Sequence, residues 1–200
     1  MILKDDILRA ELERNEKSRL RIIPTPDLNS LGNNGQASVD IRLGRWFVTM
    51  RQARVSLLRM SSKGQPDTTI GQCKQQFVQF GKPFILHPSK FVLGITLEWI
   101  CLPAYLAGYV TGKSSWARRG LIIETAAGIH PGFSGCIALE MTNIGEIPIE
   151  IVPGSKICQL FIHRTEGNDN VQKSQYGCQR KPIVGEIKSD MILESLKNPI

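Results

Sequence analysis

The sequence predicts a mainly β protein, built as a sandwich or barrel, with a helix at the N-terminus and one short helix within the chain. From Pro83 onward, short apolar or alternating stretches follow one another, and Gly, Pro or Asn residues separate them. Many short strands at nearly regular spacing are typical of all-β sandwiches and barrels. The predicted strands cover residues 84–86, 91–100, 106–111, 121–125, 136–142, 147–152 and 157–163.

The chain before Pro83 carries three further patterns. Apolar residues at positions 2, 3, 7, 8 and 12 fall at helical spacing with charged residues between them, which predicts an amphipathic helix. Val39, Ile41 and Leu43 alternate with polar residues, as in a half-buried strand. Residues 61–79 are polar and rich in turn formers, so they are predicted to form a loop inserted between strands.

Length and composition indicate one globular domain over residues 1–200, whose end, residues 164–200, is a polar tail. The chain has 200 residues, of which 42% are hydrophobic and 22% charged, values ordinary for a folded domain. No apolar run approaches the length of a membrane span, and the first residues lack the apolar core of a signal peptide. We therefore expect a cytoplasmic protein without a membrane partner.

The net charge, the cysteines and the histidines indicate which ligands the protein can be expected to bind. A net charge of +7 suits nucleotide phosphates or nucleic acid, but the basic residues are scattered, which argues against binding of extended nucleic acid. The five cysteines form no Cys-x-x-Cys pair, and the three histidines are not followed by the Glu of zinc deaminases. A disulfide framework, a structural zinc site and a zinc-bound hydroxide are all disfavoured.

The segment 112–118 is a candidate phosphate-binding element. Lys113, Ser114, Ser115 and Arg118 place two hydroxyls and two cations within six residues, at the predicted start of the short helix. A P-loop would need glycine where Ala107 stands and a long helix within a parallel sheet, and neither is present in the pattern. The alternative is an N-capping serine beside a surface arginine.

Glu140 is the candidate carboxylate. In the predicted strand 136–142, it shares one face with Cys136 and Ala138, and it follows a Gly-rich turn. A carboxylate in such a place can transfer protons, and it does so best when burial raises its pKa toward neutrality. The alternative is an ordinary exposed glutamate on a strand.

A series of motifs over nearly the whole chain, apart from the 50–80 insertion and the last dozen residues, resembles the dCTP deaminase family. The motifs, in order, are Met1-Ile-Leu-Lys-Asp-Asp-Ile7, Ala37-Ser-Val-Asp-Ile-Arg-Leu-Gly44, Lys113-Ser-Ser-Trp-Ala-Arg118, Gly120-Leu121, Thr125-Ala126, Ile129, Pro131-Gly-Phe-Ser-Gly135, Leu139-Glu140-x-x-Asn143 and Pro153-Gly-x-Lys-Ile-x-Gln159-Leu160. The tail, Ser174-Gln-Tyr176-Gly-Cys-Gln179-Arg180-x-Pro182, resembles the bifunctional branch, whose tail closes over the triphosphate.

The resemblance implies a dUTPase-like fold, a distorted β-barrel or jelly roll of the β-clip type, in a homotrimer with active sites between subunits. It implies hydrolytic deamination of dCTP to dUTP, with onward cleavage to dUMP and pyrophosphate in the bifunctional branch. Glu140 would be the proton shuttle, with Ser114 and Arg118 positioning water and carboxylate. Magnesium would arrive on the triphosphate, without zinc and without a metal site of the protein. The implied nucleotide-binding residues are Lys113, Ser115, Ala126, His130, Ala138, Leu139, Gln159, Tyr176 and Gln179.

Departures from the family pattern lie in the predicted site. His130 stands where the family has an aspartate that contacts the sugar, Lys113 replaces an arginine, and Gln175 replaces a lysine of the tail. Two further functions therefore stay open beside the deaminase. One is a nucleotide pyrophosphatase of the dUTPase type, and the other is a non-catalytic nucleotide-binding regulatory protein on the same scaffold.

Overall fold

A computed structural model describes residues 1–31, 35–50, 73–124, 128–171, 174–185 and Leu196. The chain begins with helix α1 (Asp5–Glu13), and a 3-10 turn (Leu28–Leu31) and a second helix, α2 (Ser114–Ala117), follow later. The strands are β1 (Arg21–Ile23), β2 (Val39–Arg42), β3 (Trp46–Met50), β4 (Cys73–Phe77), β5 (Phe84–Leu86), β6 (Phe91–Ile95), β7 (Trp99–Cys101), β8 (Leu106–Gly112), β9 (Leu121–Ile123), β10 (Gly128–Ile129), β11 (Ser134–Gly135), β12 (Ala138–Asn143), β13 (Ile149–Ile151) and β14 (Lys156–Arg164).

The described strands pair in four antiparallel sheets. The five-stranded sheet has the order β4-β3-β6-β12-β9, and the four-stranded sheet has the order β10-β8-β14-β2. Smaller sheets join β1-β7-β11 and β13-β5. Each sheet keeps free edges within the described ranges, so these sheets are distorted and open rather than one closed barrel. The predicted mainly β class is confirmed.

One apolar core lies between the larger sheets. Leu139 and Met141 of β12 enter it from the five-stranded sheet, and Leu160 and Ile162 of β14 enter it from the four-stranded sheet. All four are fully buried, which stabilises the fold by about 2 kcal/mol for each side chain. Because strand side chains alternate, burying these faces leaves the other face of β12 for the site described below.

Helix α1 confirms the helix predicted from apolar spacing. Leu8 is buried, and the carboxylate of Glu11, which is only 4% exposed, accepts hydrogen bonds from Arg164 Nη2 at 2.9 Å and Tyr105 Oη at 3.0 Å. A buried carboxylate requires such partners because desolvation of an unpaired charge is costly. The helix is thereby attached to the end of β14 and to the residue before β8.

Two strand predictions need correction. The single strand predicted over 91–100 is two strands, since a turn closed by the Thr96 hydroxyl, which donates to the Glu98 carbonyl at 2.9 Å, moves the chain from one sheet to another. The loop predicted over 61–79 contains β4, while residues 61–72 lie outside the described part. Strand β4 is polar because it is an edge strand, paired to β3 alone and largely solvated.

The other differences concern the ends of strands and four further strands that were not predicted, β1, β3, β10 and β11. Strands β1 and β3 carry no clear alternation, since β1 has three residues and β3 has two adjacent buried residues. Strand β9 ends at Ile123, whereas the prediction ran to Thr125, which lies outside the described residues. The short helix predicted after Ser114 is confirmed as α2.

Candidate functional site

A cavity of about 490 Å³ opens beside β12, and it is large enough for a nucleotide base and sugar. One wall is β12, from which Ala138 and Glu140 face the cavity. A second wall is the turn between β10 and β11 with its ends, residues 128–134, and a third is the C-terminal segment. The described lining residues are mostly apolar, and Glu140 is their one carboxylate.

The alternation of β12 determines which side chains reach the cavity. Glu140 pairs with Leu93 of β6 and is half-buried, and its carbonyl accepts a hydrogen bond from Glu124 N at 2.8 Å. Its neighbour Leu139 points the other way and is completely buried in the core. The predicted pocket lining by Leu139 is thus not seen for its side chain, which leaves only the Leu139 backbone available to a ligand.

The conformation of the Gly-rich turn requires glycine at two positions. Gly132 and Gly135 have φ values of +75° and +154°, which L side chains rarely adopt. A Cβ at Gly135 would stand 3.1 Å from Cys178 N and 3.2 Å from Gln179 N. The glycine therefore allows the backbone of the C-terminal segment to lie directly against the turn. His130 lines the cavity from the same turn.

The C-terminal segment, residues 174–185, is bonded to the rim of the cavity. Cys178 N donates to Ser134 O at 2.6 Å, and Cys136 N donates to Gln179 O at 2.9 Å. Tyr176 and Gln179 line the cavity, as predicted for a tail that contacts nucleotide. Burial raises the pKa of the Cys136 thiol above its ordinary value, so this thiol at the rim stays protonated at neutral pH.

A second group of predicted residues, the α2 group, consists of Lys113, Ser114, Ser115, Arg118 and Gln159. Ser114, Ser115 and Arg118 are exposed, and none of the group is among the described residues that line the cavity. Lys113, rather than Ser114, is the N-cap residue, and it makes no side-chain cap bond, so the alternative of a capping Ser114 is not observed. Helix α2 has only four residues, so its N-terminus is too short to attract an anion. Attraction of a phosphate would therefore come from the side chains of Lys113 and Arg118.

Asp40 of β2 holds part of the α2 group in place. Its carboxylate accepts a hydrogen bond from Lys113 Nζ at 2.5 Å and lies 3.5 Å from Lys156 Nζ, and Gln159 Nε2 contacts Asp40 Oδ1 at 3.4 Å and Ser38 Oγ at 3.2 Å. Burial alone would raise the pKa of Asp40, but the hydrogen bond and charge of Lys113 and the charge of Lys156 outweigh it and lower the pKa.

The structure thus divides the predicted site residues between two places. The cavity brings together His130, Ala138, Glu140, Tyr176 and Gln179, whereas the α2 group lies apart from it. Ala126 lies outside the described residues. The role of Asp40 was not predicted, although it lies two residues after Ser38 in the alternating segment, a spacing that brings both side chains to one side of the chain. No sequence signal indicated that the C-terminal segment contacts Trp99, which is described below.

The sequence identifies the class of protein, and a solved structure shows the same fold. Residues 2–165 match the family model described as dCTP deaminase-like. The model also resembles the solved 2'-deoxycytidine 5'-triphosphate deaminase from Agrobacterium tumefaciens, with a TM-score of 0.58 and 20% identity, over 82% of this chain and 48% of that one. The chain thus spans about half the length of that protein, and this likeness shows the fold alone.

The chain belongs to the dCTP deaminase-like family, and the predicted resemblance is confirmed. The dUMP-forming dCTP deaminase of Mycolicibacterium paratuberculosis is 42% identical over 165 residues, 82% of this chain and 80% of the relative. The enzyme of the same name from Corynebacterium diphtheriae is 39% identical over 153 residues, 73% and 79% of the two chains. A dCTP deaminase of Natronomonas pharaonis is 35% identical over 181 residues, 90% and 87% of the two chains.

Membrane-spanning helices and metal-binding clusters are both absent from the described residues. No helix among them is long and apolar enough to cross a membrane. No three or more His, Cys, Asp or Glu side chains within the described ranges are grouped so that they could hold a metal ion.

Proposed function

We propose that this protein deaminates dCTP to dUTP by hydrolysis and cleaves the product onward to dUMP and pyrophosphate. Glu140 carries the proposal, because it is the one carboxylate among the described residues of a largely apolar cavity. Membership of the dCTP deaminase-like family and relatives named dCTP deaminase support the first reaction. Relatives at about 40% identity whose names specify dUMP as the product support the second.

Glu140 would transfer the protons of deamination. Water adds across the C4–N3 double bond of the cytosine ring, and the carboxylate accepts the water proton and passes it to N3. The carboxylate then takes the proton of the new C4 hydroxyl and donates it to the amine, which leaves as ammonia while the C4 carbonyl forms. The products balance as dUTP and ammonia from dCTP and water. Ala138 on the same face leaves room for a planar base, and Leu93 and Ile137 give the cavity apolar walls that strengthen hydrogen bonds inside it.

The second reaction adds water across the bond between the α- and β-phosphates, releasing dUMP and pyrophosphate. The C-terminal segment lines the cavity and would cover the triphosphate. Magnesium would enter with the nucleotide, held by phosphate oxygens and water, since a single lining carboxylate does not make a protein ligand set. A route without zinc and a cytoplasmic location stay predictions.

We further propose that the protein works as a homotrimer whose sites are shared between subunits. The cavity supplies the carboxylate, the base pocket and the tail, whereas the hydroxyls and cations for water and phosphate lie in the α2 group. Placing the α2 group of one subunit against the cavity of another would complete the site. Ser114 and Arg118 would then orient water and Glu140, and Ser115 and Gln159 would contact the nucleotide.

Product analysis tests the proposed function. The protein is incubated with dCTP and Mg²⁺, and ammonia, dUTP, dUMP and pyrophosphate are measured. Glu140→Gln is expected to lower the rate of ammonia release by roughly 10²- to 10⁴-fold, because the amide cannot accept the proton. Calorimetry should show that dCTP still binds this variant, while the matched exposed variant Glu150→Gln keeps full activity.

Three outcomes would contradict the deaminase or the role of Glu140 in it. Equal ammonia release from Glu140→Gln and the unchanged protein would remove the assigned role of the carboxylate. Pyrophosphate from dUTP without ammonia from dCTP would indicate a pyrophosphatase of the dUTPase type. Tight binding of either nucleotide without turnover would indicate a regulatory protein.

A further inference from the structure

Two basic residues in the middle of the C-terminal segment lie over tryptophan rings. The guanidinium of Arg180 lies over the ring of Trp99, 5.0 Å from its centre, and Lys181 Nζ lies 4.1 Å from the centre of the Trp46 ring. Both tryptophans are half-buried, whereas Arg180 and Lys181 are exposed. A cation over an aromatic ring is attracted by the negative face of the ring, and tryptophan is the best ring for this.

Trp99 also belongs to the wall that the segment touches. Its indole Nε1 donates to Ser134 Oγ at 3.0 Å, and the backbone carbonyl of the same Ser134 accepts the hydrogen bond from Cys178 N. Strand β7, which carries Trp99, pairs with β11, which carries Ser134. The ring under Arg180 and the carbonyl that binds Cys178 are therefore held by one piece of rigid structure.

A second cavity of about 420 Å³ shows that this contact lies outside the first. Trp46, Trp99 and Arg180 line it, and Cys136 borders both cavities. The segment thus lines the Glu140 cavity with residues 176–179, reaches the tryptophans with residues 180 and 181, and lines the same cavity again with residues 183 and 184. Because neither cation lines the first cavity, removing both would release the middle of the segment without changing any lining residue.

We propose that Trp46 and Trp99 are positioning residues that hold the C-terminal segment over the Glu140 cavity through cation–π contacts with Arg180 and Lys181. The purpose of the closure rests on the proposed function, because the segment would cover the bound triphosphate. The contact itself does not rest on the proposed function, and testing it requires no turnover of nucleotide.

Hydrogen exchange at two amides measures the contact. The amides of Cys178 and Cys136 are bonded across the gap between segment and wall, so they exchange when the segment opens. In Arg180→Gln with Lys181→Gln, we expect both to exchange about tenfold faster, as the loss of two exposed cation–π contacts predicts. Core amides such as that of Met141 should not change. The double variant Arg180→Lys with Lys181→Arg keeps both cations and should keep the protection.

A charge-matched control and kinetics complete the test. Lys17→Gln with Lys90→Gln removes the same charge at exposed sites away from the segment and should leave exchange unchanged.

In the Arg180 and Lys181 glutamine variant, KM for dCTP should rise more than kcat falls, because bound nucleotide favours the closed segment again. Unchanged exchange at Cys178 and Cys136, or faster exchange throughout the core, would overturn the proposal. Absence of any turnover with altered exchange would contradict the proposed function and leave the contact standing.

Discussion

The cavity is enclosed and poor in charge, whereas the α2 group is exposed and charged. The cavity is built from a central strand, a Gly-rich turn and the C-terminal segment, and its described lining is poor in charge. The α2 group lies on a four-residue helix, exposes Ser114, Ser115 and Arg118, and is fixed from below by Asp40. Base recognition needs an enclosed apolar space, whereas phosphate recognition needs accessible cations. Each region meets one of these needs, which is why the proposed site requires both.

The largest expected effect comes from mixing two inactive variants. Glu140→Gln removes the carboxylate of the cavity, and Arg118→Ala removes a cation of the α2 group. If sites are shared between subunits, co-refolded mixtures should recover about a quarter of the normal deaminase activity, because random assembly pairs intact halves at that frequency. Ammonia release from dCTP measures it. Activity no higher than that of either variant alone would show that both groups act from the same chain.

A smaller effect is expected where the turn meets the C-terminal segment. A Cβ in Gly135→Ala would lie 3.1 Å from Cys178 N and 3.2 Å from Gln179 N, closer than ordinary van der Waals contact. The backbone of the segment should therefore shift away from the wall, and kcat/KM for dCTP should fall about 10- to 100-fold. Gly167→Ala is the matched control, because Gly167 also has a positive φ, +130°, but its Cβ would meet no atom within 4 Å. Equal losses in both variants would assign the effect to backbone strain instead.

The smallest effect concerns the stability of the α2 group. Asp40→Asn should lower the free energy of unfolding at pH 7 by about 1 kcal/mol, since Asp40 is partly solvated and its pairs are screened. Because the pKa of Asp40 is lowered in the fold, its contribution is complete above the ordinary value of about 4 and is lost as pH falls through the folded value.

Urea unfolding of both proteins between pH 7 and pH 3 would check this pH dependence. The difference in unfolding free energy should shrink toward low pH. The exposed control Asp169→Asn should show no such difference at any pH. A difference that grows as the pH falls would contradict the assigned direction of the pKa shift.

Much of the fold and part of the site could be predicted from the sequence. Alternation along β12 correctly separated Glu140 from the core face. Apolar spacing also predicted α1, although Ile2 and Leu3 precede the helix and Ile7 is exposed. Strand β4 was missed because an edge strand needs no buried residue, and the turn within 91–100 was missed because both flanking strands are apolar. The contact of Arg180 with Trp99 joins residues far apart in the chain, which local patterns do not encode.

The three tryptophans are distributed so that the protein carries its own optical reporters. Trp116 lies in α2, where its indole nitrogen donates to Lys156 O at 3.0 Å, while Trp46 and Trp99 lie beneath the C-terminal segment. In a Trp116→Phe variant, tryptophan fluorescence, excited at a wavelength that tyrosine does not absorb, would arise from the two rings that contact Arg180 and Lys181. Emission from that variant would therefore follow opening and closing of the segment in real time, without an added dye.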